Sequence, residues 1–368
     1  MKKYLKYIAI ILVITAIAGA VYYFFFRERE ALPEFIGGLF PGSEKIDREI
    51  AEPEEAEEPQ LQALEDFPIF DYWINVETGD FYYVTLAGQV VKETEAGERS
   101  TVNSQIITRL NRVTASPNGR YALAKFNYPN LPTFGIFNTA TDSWQPLPEN
   151  TIAAAWSPDS QRLIYANENS LNILNLSNGR SSKALDLTQK ALELDWVSDE
   201  LVFLSVPASV EHASSIWSLN LSNNRLTPLF EDEIGLTAKW FENSDLGLAL
   251  FSVNRSPFIS LVDHAGEVLN VFNFTTLPSK CLIYLGSKLY CAVPKNIGLN
   301  TELPDDYYKK SVYFDDALYE IDLTGAGVFE LTTENKNVAI DAEHLEVYAG
   351  RLYFKNRIDN RFYSFNLE

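Results

Sequence analysis

The residues able to do chemistry are few and scattered. The three histidines, His212, His264 and His344, lie far apart, and none stands in a short metal-ligand pattern such as H-E-x-x-H. No G-x-S-x-G elbow, phosphate-cradling glycine loop or dinucleotide fingerprint occurs. Asp305, Asp306, Asp315 and Asp316 could gather around calcium. They have no EF-hand register, however, and paired aspartates in loops are commonly just solvated. The expectation is therefore no catalytic residue, no metal, no cofactor and no enzyme.

The two cysteines are more specific. In CLIYLGSKLYC, a three-residue loop at Leu285, Gly286 and Ser287 pairs Tyr284 with Lys288 and sets Cys281 opposite Cys291. Cross-strand neighbours approach disulfide distance, and an oxidising compartment permits the bond. The competing reading is two small buried hydrophobes.

A third group is the segment PKNIGLNTELPDDYYKKSVYFDDA, which carries Tyr307, Tyr308, Lys309, Lys310, Tyr313 and Phe314. Aromatics give rigid contact area and mixed charge gives steering, so these six residues are the expected partner-binding surface. The plainer reading is that the rings pin a long loop to its own support.

These residues sit among short apolar runs divided by Asn, Asp, Gly, Pro and Ser from Phe67 onward, which predicts an all-β domain over 67–368. The clearest unit is AAAWSPDSQRLIYANENSLNILNLSNGRSSKALDL, starting at Ala153: four strands joined by turns. In its turns, proline presets φ, Asp and Ser satisfy local backbone groups, and Asn178-Gly179 is a hairpin signal. Degraded copies begin at Val113, Leu194, Ala238, Lys280 and Leu345. Equivalent strand ends fall at Thr85, Asn138, Asn175, Asn220, Asp263, Asp322 and Asn366, between 37 and 59 residues apart. That spacing predicts a β-propeller of seven four-stranded blades, with six as the alternative. The last unit stops after its third strand. Residues 68–75, PIFDYWIN, are the expected donor of the missing strand, closing the ring and covering an exposed edge. Trp156, Trp196 and Trp240 recur at one place in a strand, and with Tyr165 and Tyr353 read as inter-blade packing.

The segment from Trp156 to Tyr165, WSPDSQRLIY, resembles the WD40-like repeat of TolB-type propellers, and ASPNGRY from Ala115 matches it more loosely. The resemblance implies a propeller over about 300 residues and a bacterial envelope setting. The additional α/β domain of TolB has no counterpart, so its partners are not carried over. Nor is a hydrolase domain expected after the last blade, where prolyl-oligopeptidase relatives have one.

The chain begins MKKYLKYIAIILVITAIAGAVYYFFFRERE, in which Tyr7 to Phe26 carry no charge. Twenty residues make about 30 Å of helix, enough to cross a bilayer. The expected organisation is a cytoplasmic tail over 1–6, a single-pass transmembrane helix over 7–26 with the N-terminus inside, an acidic flexible stalk over 27–66, and an extracytoplasmic propeller. The alternative is a cleaved signal peptide ending near Ala20. A net charge of -20 argues against nucleic acid as a partner, because phosphate binding needs concentrated Lys and Arg. The leading functional expectation is a membrane-anchored interaction or scaffold module for an envelope protein. The alternatives are a propeller that binds a glycan or small molecule, and a hydrolase or lyase built from residues gathered in the channel.

Overall fold

The structure is a computed structural model that describes residues 60–368 apart from 66, 128, 129, 190, 242, 243, 254, 326, 332–337 and 368. The expected transmembrane helix over 7–26 lies outside the described residues. Among those described, no helix is long and apolar enough to cross a membrane.

Seven four-stranded antiparallel sheets follow one another as seven blades. Their first strands are Ile69–Asn75, Arg112–Ala115, Ala153–Trp156, Glu193–Ser198, Thr237–Trp240, Cys281–Tyr284 and Ala342–Tyr348. First strands of neighbouring blades touch between blades 1 and 2, 3 and 4, 4 and 5, and 6 and 7, and the first strands form the inner ring around a central channel. In each blade, side chains alternate between the two faces and fill the space against the neighbours. Leu248, Leu250 and Ile259 of blade 5, for example, pack on Cys281, Leu289 and Cys291 of blade 6. No blade buries its apolar faces alone, so stability is shared around the ring.

Ring closure is made by strand donation. Leu61–Ala63 forms the outer strand of blade 7, pairing Leu61 with Phe365 and Ala63 with Tyr363. The expected donor, residues 68–75, is instead the first strand of blade 1, and the closing strand falls inside the segment expected to be stalk. The strand end assigned at Thr85 shifts for the same reason. Thr85 ends the second strand of blade 1, and the equivalent position is Glu93 at the end of Val90–Glu93. The seam between blades 1 and 7 is then sealed by Ile69, Tyr72, Tyr353 and Phe362, all buried.

The recurring tryptophans clamp neighbouring blades. Trp156 Nε1 donates to Thr114 O of blade 2 at 2.9 Å, the Trp240 ring lies 4.0 Å from Phe203 of blade 4, and Arg162 of blade 3 sits over Trp196. The repeated turn works through its serine. Ser157 Oγ accepts from Arg162 N and donates to Asp159, and Ser116 and Asn118 repeat the arrangement in blade 2. Gly119 is required there: its φ is +68°, and a Cβ would meet Ile74 O of blade 1 at 1.8 Å.

Cys281 and Cys291 stand directly opposite in register and are joined as a disulfide, with Cα atoms 4.2 Å apart.

Candidate functional site

The inner strands of blades 7 and 1 are both irregular where they meet. In blade 7, Glu343 pairs with Lys355 and Glu346 with Tyr353, so an extra residue is accommodated over His344 and Leu345. In blade 1, Ile69 pairs with Thr85 and Asp71 with Val84, leaving Phe70 as the extra residue. A bulge bends its strand and re-aims a side chain. His344 sits at φ +54°, a left-handed conformation that costs energy for a residue with a Cβ and persists only where its surroundings hold it.

Those surroundings are specific. His344 Nδ1 lies 2.6 Å from Asp71 Oδ1, and the same carboxylate oxygen accepts from Tyr72 N at 3.0 Å. Tyr72 is fully buried. Its hydroxyl donates to His344 O at 2.6 Å, and its ring stacks on the imidazole with centroids 4.8 Å apart. Backbone and side chain of His344 are thus fixed by two adjacent residues of another blade. The imidazole keeps 32% of its side-chain surface exposed. Nε2 makes no hydrogen bond among the described residues.

Burial is the largest influence on His344 and disfavours the charged ring. The charge and hydrogen bond of Asp71, helped by Glu346, outweigh it and hold the imidazole above its ordinary value, while Lys239 opposes them. Burial likewise works against the Asp71 carboxylate, yet His344, Lys355 and the Tyr72 amide bring it below the ordinary range. Both residues of the pair stand on inner strands, which line the channel. Lys239 Nζ donates to Cys281 O at 2.9 Å. Asp195, on the inner strand of blade 4, accepts from Trp240 N at 3.5 Å. Burial pushes Asp195 up, against the pull of the Trp240 amide, Lys239 and Arg112.

Asp71, Asp195, Lys239 and His344 each stand third in their first strand and so form one tier of the channel wall. Arg112, Glu193 and Thr237 stand first and form a tier nearer the mouth. Two residues of extended chain separate the tiers by about 7 Å.

The mouth carries the segment between Val293 and Leu318. Its helix, Asp305–Tyr308, follows the second strand of blade 6. Tyr307 and Phe314 are buried and stack at 5.7 Å, with the Arg357 guanidinium 3.7 Å from the Tyr307 centroid. Beneath them lies a buried cluster of four charges. Lys280 Nζ meets Asp316 at 2.7 Å and Asp341 at 2.5 Å, and Arg357 meets Asp341 at 3.0 Å. The cluster is neutral overall and ties the segment to blades 6 and 7. Burial raises Asp316 to about 6 against the pull of Lys280. Of the six residues expected to bind a partner, Tyr307 and Phe314 are therefore packing residues. Lys309, Lys310 and Tyr313 are exposed, and Tyr308 turns to the channel mouth.

The other expected groups do not converge. Asp305 binds Val210 N and Lys309, Asp315 binds Lys295, and Asp316 is buried. Among the described residues no three His, Cys, Asp or Glu side chains gather as a metal site. His212 is exposed, and His264 lies 3.7 Å from the exposed Asp245, beside a groove on the face opposite the mouth that Asp159, Val197 and Asp199 also line. That groove holds no buried ion pair.

No family model and no curated protein matches the sequence. Solved structures match in fold. The chain superposes on tricorn protease over 85% of its length with 12% identity and a TM-score of 0.52, but spans only 34% of that enzyme. It superposes on oligogalacturonate lyase from Vibrio parahaemolyticus over 84% of this chain and 93% of that one, with 11% identity and a TM-score of 0.57. Virginiamycin B lyase from Staphylococcus aureus, in a catalytically inactive histidine-to-alanine form with quinupristin, gives 84%, 99%, 11% and 0.54. TolB from Acinetobacter baumannii superposes over 77% of this chain and 76% of that one, with 12% identity and a TM-score of 0.43.

These likenesses establish the seven-bladed propeller. They also overturn the expectation of a protein-binding scaffold without catalysis. Two of these propellers are lyases matched along almost their whole length, so this fold carries catalysis with no added domain. The absence of local motifs excluded nothing, because Asp71 and His344 are 273 residues apart and no short pattern contains both.

Proposed function

We propose that the chain is a channel enzyme of the lyase kind. It would act on a polar, carboxylate-bearing small molecule such as a uronic-acid oligosaccharide, with His344 moving the proton. The observation that carries this reading is the Asp71–His344 pair held at two bulges, with Nδ1 on the carboxylate and the ring still partly exposed. A carboxylate behind an imidazole fixes its tautomer and supports the charge it gains as a base.

The chemistry is a β-elimination. His344 Nε2 takes the proton from the carbon next to the substrate carboxylate. The C–H electron pair becomes the new C=C bond, the bond from the neighbouring carbon to the leaving oxygen breaks, and that oxygen takes a proton from Asp195. Lys239 supplies positive charge against the carboxylate as its carbon loses the proton. Burial, which raises Asp195, favours its protonated form as the proton donor. The imidazole of His344 bonds a carboxylate and no hydroxyl or thiol among the described residues, the Tyr72 hydroxyl being spent on the backbone carbonyl, and both cysteines are bonded, which favours proton abstraction over a covalent nucleophile.

The lyases matched in fold support the substrate class by analogy only. The test is a panel of acidic and neutral oligosaccharides. Product is followed by the ultraviolet absorbance of a carbon–carbon double bond conjugated to a carboxylate, and ligand binding by thermal shift. Turnover on an acidic member that His344→Gln abolishes supports the reading. Binding without turnover by the wild type would make the channel a receptor site and overturn the catalytic assignment.

A further inference from the structure

The segment over the mouth has one residue whose placement its packing does not explain. Tyr307 and Phe314 are buried beneath Arg357, and Arg357 Nη2 also donates to Tyr307 O at 3.1 Å. Asp305 Oδ2 accepts from Val210 N of blade 4 at 2.8 Å. Phe314 N donates to Asp341 at 3.1 Å. The short helix is thus tied to blades 4, 6 and 7 by backbone and charged bonds. Its last residue, Tyr308, contributes none of them and stays 49% exposed.

Tyr308 reaches inward over the ring. Its hydroxyl lies 3.3 Å from Thr237 Oγ1, the first residue of the inner strand of blade 5. The concave mouth pushes the phenol above its ordinary value. The Thr237 hydroxyl pulls it back, Glu193 of blade 4 adds to the rise, and Arg112 of blade 2 and Ser279 of blade 6 oppose it. Its contact with Thr237, at the start of the inner strand of blade 5, sets Tyr308 at the mouth of the channel. The tier bearing His344 is about 7 Å further in, two residues along each strand.

The geometry points to Tyr308 as the specificity-determining roof of the channel: an aromatic platform on which a sugar ring stacks while a carboxylate-bearing ring reaches His344. This rests on the proposed channel chemistry and adds to it a recognising residue and a length requirement. An aromatic face suits the apolar C–H face of a pyranose, and its hydroxyl, held by Thr237, keeps the ring from swinging into the opening. Arg112 at the same tier offers a planar donor fork for a carboxylate on the stacked ring. The site would therefore take an oligomer of at least two sugar units, with the unit at Tyr308 bound but unreacted.

The experiment compares wild type with Tyr308→Ala, Tyr308→Phe and Thr237→Val on mono-, di- and trimeric uronates, reading kcat and KM separately, with the melting temperature of each variant as the control on folding. Tyr308→Ala should raise KM for the dimer and trimer roughly tenfold while kcat falls by less than about threefold. It should also flatten the preference of longer over monomeric substrate. Tyr308→Phe should stay within about threefold of wild type, because the ring remains, and Thr237→Val should follow it. A folded Tyr308→Ala with unchanged KM and unchanged length preference, while His344→Gln is inactive, would overturn the roof and leave the channel chemistry standing. A wild-type protein that neither binds nor turns over any uronate would overturn both.

Discussion

Asp71 Oδ1 and His344 Nδ1 lie 2.6 Å apart across the seam that closes the ring, so the proposed proton transfer and ring closure share one junction. The carboxylate is what lifts His344 above its ordinary value despite burial. Asp71→Asn should therefore lower the pKa of His344, read by nuclear magnetic resonance of its ring protons. In turnover, the rise of rate with pH should move to lower pH and the plateau should fall by roughly 10²-fold. An unmoved titration would remove Asp71 from the site.

Folding stability should be greater in mildly acidic than in alkaline solution. Glu65 is buried, with one carboxylate oxygen on Arg99 at 2.8 Å and the other without a partner among the described residues. Burial raises it to about 7, with Glu93 adding to the effect and Arg99 opposing it. An acid raised in the folded state binds its proton on folding, so stability falls as pH climbs from about 4.5 through 7. Asp316, raised to about 6, acts in the same direction from about 4 to 6. His344, raised in the folded state, contributes stability below its ordinary value near 6.5 that is lost as pH rises through the folded value. Glu65→Gln should flatten the Glu65 part of this dependence and be more stable than wild type at pH 8. Equal pH slopes in urea unfolding would rule the assignment out.

The closing strand is short, but it covers the edge of blade 7. Leu61 is buried among Tyr290, Leu345 and Phe365. Leu61→Ala should cost about 2 kcal/mol, and removal of residues 1–63 should cost more and lower the cooperativity of unfolding. An unchanged urea midpoint for the truncation would show that the strand closes nothing.

The disulfide of blade 6 spans a sequence separation of 10. Replacing both cysteines with alanine should cost about 2–3 kcal/mol, measured against the oxidised wild type. The bond lies in blade 6 and the Asp71–His344 pair at the seam of blades 1 and 7, so turnover should change less than stability.

The blades were legible because turn chemistry is local: Ser157, Pro158 and Asp159 announce a turn in any context. Blade 1 was misaligned by one strand because its turns lack that signature, and Thr85 mimics the strand end that belongs to Glu93. The cysteine register could be read because a three-residue loop fixes it. The channel pair could not. Asp71 and His344 meet only after seven blades have curved the chain into a ring, and the bulges that aim them leave no local motif. Tyr308 was noticed for its aromatic character, but its direction is set by Arg357, Asp341 and Val210, which are distant in sequence. The sequence signal that could have flagged the site was a lone histidine beside two acids, Glu343 and Glu346, on an inner strand.

The central claim is that His344 removes a proton from carbon next to a carboxylate. The most direct measurement is hydrogen–deuterium exchange at that carbon, together with elimination, for uronate oligomers incubated in heavy water with wild type or a folded His344→Gln variant. The account predicts exchange or elimination with wild type and a loss of at least about 10²-fold in the variant. Equal rates for the two proteins, or no exchange and no elimination with wild type on any oligomer it binds, would contradict it.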